Sequence, residues 1–227
     1  SVQSQKAEIE ANRKNISQDR AALDTKKSEV NSLLSETNTV IAELAKDEAS
    51  AEDEGEKIAA ERSKSNAAID QWYEDYYSSG KSTGGSGGYV SKGDFTWPVP
   101  GVYNITSGYG WRNIGYGNEF HKGIDIASAG VFGKPIVAAD SGRVIMAGYG
   151  NYGTGYGGYG NVVVIDHGGG LSTLYGHCSK VAVRAGTNVK KGQVIAYVGS
   201  SGQATGPHLH FEIRVNGAAK NPMNWFK

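Results

Sequence analysis

The sequence predicts an antiparallel all-β domain preceded by an N-terminal α-helical coiled-coil hairpin or arm, and three observations carry that expectation. Residues 1 to 77 contain one glycine, Gly55, and no proline, whereas the other 32 of the 33 glycines and all five prolines follow Tyr77. The first segment repeats apolar residues at seven-residue steps, as a coiled-coil seam requires. The second breaks into short apolar runs of strand type, each closed by Gly, Asp or Asn.

Bulk properties narrow the reading without deciding it. At 227 residues and 38% hydrophobic, the chain has room for one or two domains with a real core. The formal net charge of zero hides two halves of opposite sign. Residues 1 to 77 hold 17 Asp/Glu against 10 Lys/Arg, a net of −7, and the remainder holds 6 against 13, a net of +7. A surplus of that size spread over the second part suits solubility or an anionic wall polymer, and no nucleic-acid motif accompanies it, so nucleic acid is not an expected partner. No apolar run approaches the roughly 20 residues that span a bilayer, and Ser1 opens without a charged and apolar leader, as in a mature or trimmed chain. One cysteine, Cys178, rules out an internal disulfide.

Taken in order, residues 1–77 form the predicted helical arm. Ile9, Ile16, Leu23, Val30, Leu44, Ala51 and Ile58 follow the seven-residue step, with Thr37 filling the gap. A second seam carries Leu34 and Ile41 but also Arg13, Arg20 and Lys27, so a helical hairpin competes with a two-stranded coiled coil. The polar stretch "KDEASAEDEGEK" around Gly55 is the expected turn of such a hairpin. A first helix of about 45 residues, at 1.5 Å per residue, would reach roughly 70 Å. "SSGKSTGGSGG" has no side chains able to pack and marks residues 78–93 as a flexible linker. From residue 94 to 227 the runs "KPIVAAD", "GRVIMAG", "NVVVIDHG", "LSTLYGH", "QVIAYVG" and "HLHFEIRV" give the strands of the β domain.

The last of these runs carries the chemistry. Side chains alternate across a strand, so His208, His210, Glu212 and Arg214 share one face while Leu209, Phe211, Ile213 and Val215 share the other. Two imidazoles on alternate residues repel each other when protonated, whereas one divalent cation uses neutral rings productively. "HKGID" adds His121 and Asp125, on a loop entering a strand. Hydrolytic zinc commonly takes three nitrogen and carboxylate ligands and leaves the fourth position to water, and His121, Asp125 and one of His208 and His210 meet that count.

These residues resemble the lysostaphin or LytM-type zinc metalloendopeptidases, which cleave peptide bonds in bacterial peptidoglycan. The resemblance rests on "HKGID", "HLH" and "YGH", with "SGYGWR", "GNVVVIDHGGGLSTLYGH", "KKGQVIAYVGSSG" and "TGPHLHFEIRVNG" as supporting segments, and covers residues 95 to 227. It implies that His121, Asp125 and His210 bind Zn²⁺, while His177 and His208 stay off the metal. One of that second pair would act as general base on water and the other would stabilise the oxyanion. It also implies peptidoglycan peptides as substrate and an extracytoplasmic location in the wall or periplasm. The arm would regulate or position the domain, through docking of its acidic surface near the basic domain, and would offer a surface to a membrane or division-machinery protein. The oligomeric state stays open. Relatives of this fold that lack zinc ligands activate amidases through a coiled coil, so a non-catalytic regulator of a cell-wall amidase is the alternative.

The remaining features read as structural. His167 ends a strand at a glycine turn, and Cys178, next to His177, should face the core rather than serve as a thiol nucleophile. Trp97, Trp111 and Trp225 are expected to pack the ends of the β domain. Trp72, Tyr73, Tyr76 and Tyr77 would cap the hairpin or dock on the domain. The tyrosines of the low-complexity loop "GYGNYGTGYGGYGN" either line a groove or have no role.

Overall fold

The computed structural model describes residues 2–80, 89–115, 117–150 and 157–226. Residues 81–88, half of the expected linker, and the Tyr152 and Tyr156 part of the low-complexity loop lie outside the described residues. The chain divides into two compact units, Ser1–Glu54 and Gly55–Lys227.

One helix, α1, runs over Val2–Ser78. The hairpin turn expected at Gly55 does not form. Ala, Glu and Lys, all strong helix formers, surround that glycine, and a single interior glycine costs only about 1 kcal/mol relative to alanine. Within the first unit the seam residues Ile9, Ile16, Leu23, Val30, Leu34, Ile41 and Leu44 are each more than half exposed.

The second unit combines the end of α1 with twelve strands. They are β1 (Ile105–Ser107), β2 (Gly110–Asn113), β3 (Asn118–His121), β4 (Ile124–Ile126), β5 (Pro135–Val137), β6 (Gly142–Tyr149), β7 (Asn161–Gly168), β8 (Leu171–Val181), β9 (Asn188–Val189), β10 (Val194–Val198), β11 (Leu209–Val215) and β12 (Ala218–Lys220). All described pairings are antiparallel. The main sheet runs β1-β4-β11-β8-β7-β6-β9, with β10 joining β8 to β5 and β12 on the edge of β11; β2 and β3 form a separate ribbon. A tight turn through Asn216 and Gly217, both at positive φ, links β11 to β12.

The sheet is covered on both faces. On β7, Val163 and Ile165 enter one core with Tyr175, Phe211 and Ile213, while Val162 and Val164 enter a second with Leu174, Ile69 and Tyr73. This explains why "NVVVIDHG" reads as an unbroken apolar run rather than an alternating one. The aromatic end of α1 docks here, with Trp72 and Tyr77 packed against the second core. Gly217 permits the approach, because a Cβ there would lie 2.9 Å from the Tyr73 Cβ.

Trp97 and Trp225 pack against the first core. Trp111 does not; it is 75% exposed. It stands on the β2–β3 ribbon, separate from the main sheet, with the ring of Phe120 opposite it at 5.5 Å. Cys178 is fully buried in the first core.

Candidate metal centre

Three strands bring His121, Asp125 and His210 together. β4 and β11 pair so that His210 lies opposite Asp125, and His121 closes β3 just before β4 begins. His121 Nε2 lies 2.9 Å from His210 Nδ1 and 3.2 Å from Asp125 Oδ1, which is itself 3.0 Å from His210 Nδ1. Ligands about 2.0–2.1 Å from a tetrahedral zinc lie roughly 3.3–3.4 Å from one another, so this near-equilateral triangle of two nitrogens and one carboxylate oxygen fits that ion.

The backs of the triangle's side chains are fixed. His121 Nδ1 donates to the Gly108 carbonyl at 2.7 Å, which leaves the Nε2 lone pair for the triangle. His210 is turned the other way: its Nε2 donates to Glu212 Oε1 at 3.0 Å, leaving Nδ1 free. Glu212 also accepts the Tyr159 hydroxyl proton and a 2.6 Å hydrogen bond from Arg214 Nε. Asp125 Oδ2 accepts from Arg112 Nη1 at 3.2 Å, and Arg112 is held in turn by Glu119.

His177 and His208 stand beside the triangle with ring centroids 4.7 Å apart. Each gives its Nδ1 proton to a carbonyl, Ser201 for His177 and Gly206 for His208, both at 2.8 Å. Both therefore turn an Nε2 lone pair away from the backbone, and that of His208 lies 3.6 Å from Asp125 Oδ1.

A bulge creates the position of His177. Gly176 pairs with His210 and shares its face, so regular alternation would send His177 to the core and Cys178 to the site. Instead Tyr175 and Cys178, three residues apart, both enter the core. The β7–β8 register slips between Asn161 and Val163, and His177 takes φ of 59°, a left-handed conformation rare for a residue with a side chain. Gly176 is needed as well. A Cβ there would come within 2.8 Å of the Tyr159 ring, which packs 5.2 Å from the His210 ring.

Burial would raise the Asp125 carboxyl, but hydrogen bonds from His121 and His210 hold it far below the usual carboxylate range. Burial would lower His210, yet its bonds to Asp125 and Glu212 push it up to about 9. The pair of carboxylates that favours a proton there equally favours a cation. Burial, reinforced by His210 and His208, pushes His177 down to about 3, and burial also lowers His208. Both are neutral imidazoles near pH 7.

All five side chains line a cavity of about 560 Å³. Phe120 and Ile114 supply apolar wall, and Ile58, Arg62 and Asn66 of α1 close one side. Arg62 reaches Glu119 at 2.9 Å and the Gln203 carbonyl at 3.2 Å. His167 lies elsewhere, buried between the Ser141 carbonyl and the Thr173 hydroxyl.

Sequence reasoning placed Glu212 and Arg214 on the His210 face without giving them a role. Their alternating charge beside a histidine was the available signal. Arg112 stood in the supporting segment "SGYGWR" without a role, and Tyr159 in the low-complexity loop whose tyrosines were expected either to line a groove or to have no role; it lines the cavity, while Glu119 carried no signal and joins the site only through folding.

Residues 119–222 match the family model "Peptidase family M23". The DD-carboxypeptidase/endopeptidase Mpg of Neisseria meningitidis is 42% identical over 128 residues, 55% of this chain and 28% of that protein. The murein hydrolase activator EnvC of Escherichia coli is 40% identical over 143 residues, 63% of this chain and 31% of that protein. Among solved structures, a zinc containing peptidase from Vibrio cholerae is 33% identical with a TM-score of 0.51, covering 57% of this chain and 39% of that one. The chain spans less than a third of the length of either curated relative.

Proposed function

Because the chain belongs to peptidase family M23 through residues 119–222, we propose that it is a zinc-dependent endopeptidase hydrolysing peptide bonds in the stem or cross-bridge peptides of peptidoglycan, outside the cytoplasm. The observation that carries this reading is the triangle of His121, Asp125 and His210 donor atoms beside two imidazoles whose Nδ1 atoms are fixed on backbone carbonyls.

In this reading the triangle holds the zinc, which when bound would lower the pKa of water toward 7 and polarise a carbonyl. Gly108 and Glu212 hold the two ligand imidazoles in the tautomers that the triangle requires. Asp125 supplies the negative charge and Arg112 keeps its second oxygen turned away. His177 and His208 take the roles of base and oxyanion partner: an Nε2 lone pair accepts a proton from water, and the resulting imidazolium N–H donates to a developing oxyanion or leaving amine. Burial that keeps both rings neutral leaves them ready to accept. The apolar wall of Phe120 and Ile114 limits water around the reacting carbonyl. The positioning role expected of the arm falls to residues 55–78, whose Arg62 and Asn66 form part of the cavity wall.

The test is digestion of purified peptidoglycan with products read by mass spectrometry. About one zinc per chain, new peptide termini, and loss of both with chelator or with His210→Ala are expected. A chain that takes up no zinc and releases no peptide sinks the proposal.

The likeness to EnvC, named a murein hydrolase activator, favours a second reading in which the domain binds and activates a cell-wall amidase without cleaving anything itself. Persistence of both ligand and imidazole sets weighs against it. Amidase stimulation by a protein that is inert on peptidoglycan would establish it.

A further inference from the structure

The docked end of α1 reaches the ligand triangle through a chain of charged side chains, of which Arg214 and Glu212 are buried. Asp70 Oδ1 accepts from Arg214 Nη1 at 2.9 Å. Arg214 Nε donates to Glu212 Oε2 at 2.6 Å, and Glu212 Oε1 accepts from His210 Nε2 at 3.0 Å. The Arg214 and Glu212 side chains are both 0% exposed. Arg214 lies 4.5 Å over the Tyr73 ring, and Nη1 also meets the Gly217 carbonyl at 2.9 Å. Its Nη2 has no partner among the described residues.

We propose that Asp70 is a positioning residue of the metal centre, anchoring Arg214 so that Glu212 presents Oε1 to His210 and keeps the His210 Nδ1 turned into the triangle. The inference rests on the zinc reading above. A guanidinium offers five N–H donors in a planar fork, and a fork prefers both oxygens of one carboxylate. The guanidinium edge that faces Glu212 is Nε with Nη2; Asp70 and Gly217 anchor the group through Nη1, so that only Nε bonds Glu212, Nη2 has no partner among the described residues, and Oε1 stays available to His210. Without Asp70, Arg214 is free to rotate and claim both Glu212 oxygens, and His210 loses the acceptor that sets its tautomer. The metal site thereby senses whether α1 is docked. Asp70 is 51% exposed and stands one step further from the ligand than a direct partner, so the effect is a few-fold one.

The experiment measures zinc affinity of the full chain by competition with a chromogenic chelator, and the absorption spectrum of the cobalt-substituted protein. Direct partners of metal-bound histidines change affinity about 10–100-fold, so Asp70→Asn should weaken zinc by roughly 3–10-fold and shift the cobalt bands. Asp70→Glu should recover most of the loss. Asp75→Asn, on the same helix with its carboxylate on Gln71, should change neither readout. Unaltered affinity and spectrum in Asp70→Asn overturn the inference. So does an equal loss in Lys122→Met, since Lys122 is the other partner of Asp70, at 2.7 Å, and the effect would then bypass Arg214. A parent chain that binds no zinc would instead remove the peptidase reading itself, a result separable from failure of the relay alone.

Discussion

Residues 2–54 of α1 leave Ile9, Ile16, Leu23, Val30 and Leu44 more than half exposed, whereas residues 55–78 of the same helix bury Ile69 and Tyr73 completely. Both stretches are helical and both are rich in charge. What separates them is the partner: Ile69, Trp72, Tyr73 and Tyr77 pack against the core formed with β7 and β8, and that face continues the seven-residue registers, Trp72 in step with Ile58 and Ile69 in step with Leu34 and Ile41. The heptad register runs through both stretches, so it does not by itself mark which part of the helix is packed. The cluster of aromatic residues at the end of α1 marks the part that belongs to the β domain.

Truncation tests this contrast most severely. Removing residues 1–54 should leave the melting temperature of the remainder nearly unchanged. Removing residues 1–77 should cost more than about 5 kcal/mol, because it uncovers the second core and strips the cover from Arg214 and Glu212. Equal melting of the two truncated proteins would dissolve the distinction.

Point substitutions repeat the test more gently. Tyr73→Ala should destabilise by about 3–5 kcal/mol in chemical denaturation, against less than about 0.5 kcal/mol for Ile16→Ala. Alkali offers a third handle, since residues 2–54 contain no tyrosine. Burial raises Tyr73, Tyr76 and Tyr77, the last up to about 12. A raised folded pKa means the folded state keeps protons that the unfolded state loses, so this stability is whole below pH 10 and falls above it. Buried Tyr73 alone accounts for about 1.4 kcal/mol per pH unit above 10. Its hydroxyl has no partner among the described residues, so Tyr73→Phe should be nearly neutral at pH 7 and should flatten the alkaline decline in a pH series of melts. The smallest effect belongs to Arg62→Ala. Glu119 keeps Arg112, and the lost pair is partly exposed, so less than about 1 kcal/mol should disappear from the denaturation midpoint.

The strands were legible because short apolar runs, period-2 alternation and glycine punctuation are local signals. "NVVVIDHG" and "HLHFEIRV" fall on β7 and β11 nearly residue for residue. "HKGID" and "HLH" stood out as a candidate set because few side chains bind cations, and the fold brings His121, Asp125 and His210 together. The hairpin at Gly55 failed because one glycine among helix formers punctuates too weakly. Trp111 failed because an aromatic residue on a two-stranded ribbon has no second layer to enter.

By itself the sequence determined the elements and the inventory of donors: which stretches extend, which coil, and which imidazoles and carboxylates exist to be gathered. Tertiary structure alone decided their aim. The switch of alternation at His177 depends on how β7 and β8 slip against each other. The burial of Glu212 and Arg214 depends on a helix more than 130 residues earlier in the chain covering their face. Both are outcomes of packing between distant segments, and no local period in the chain encodes them.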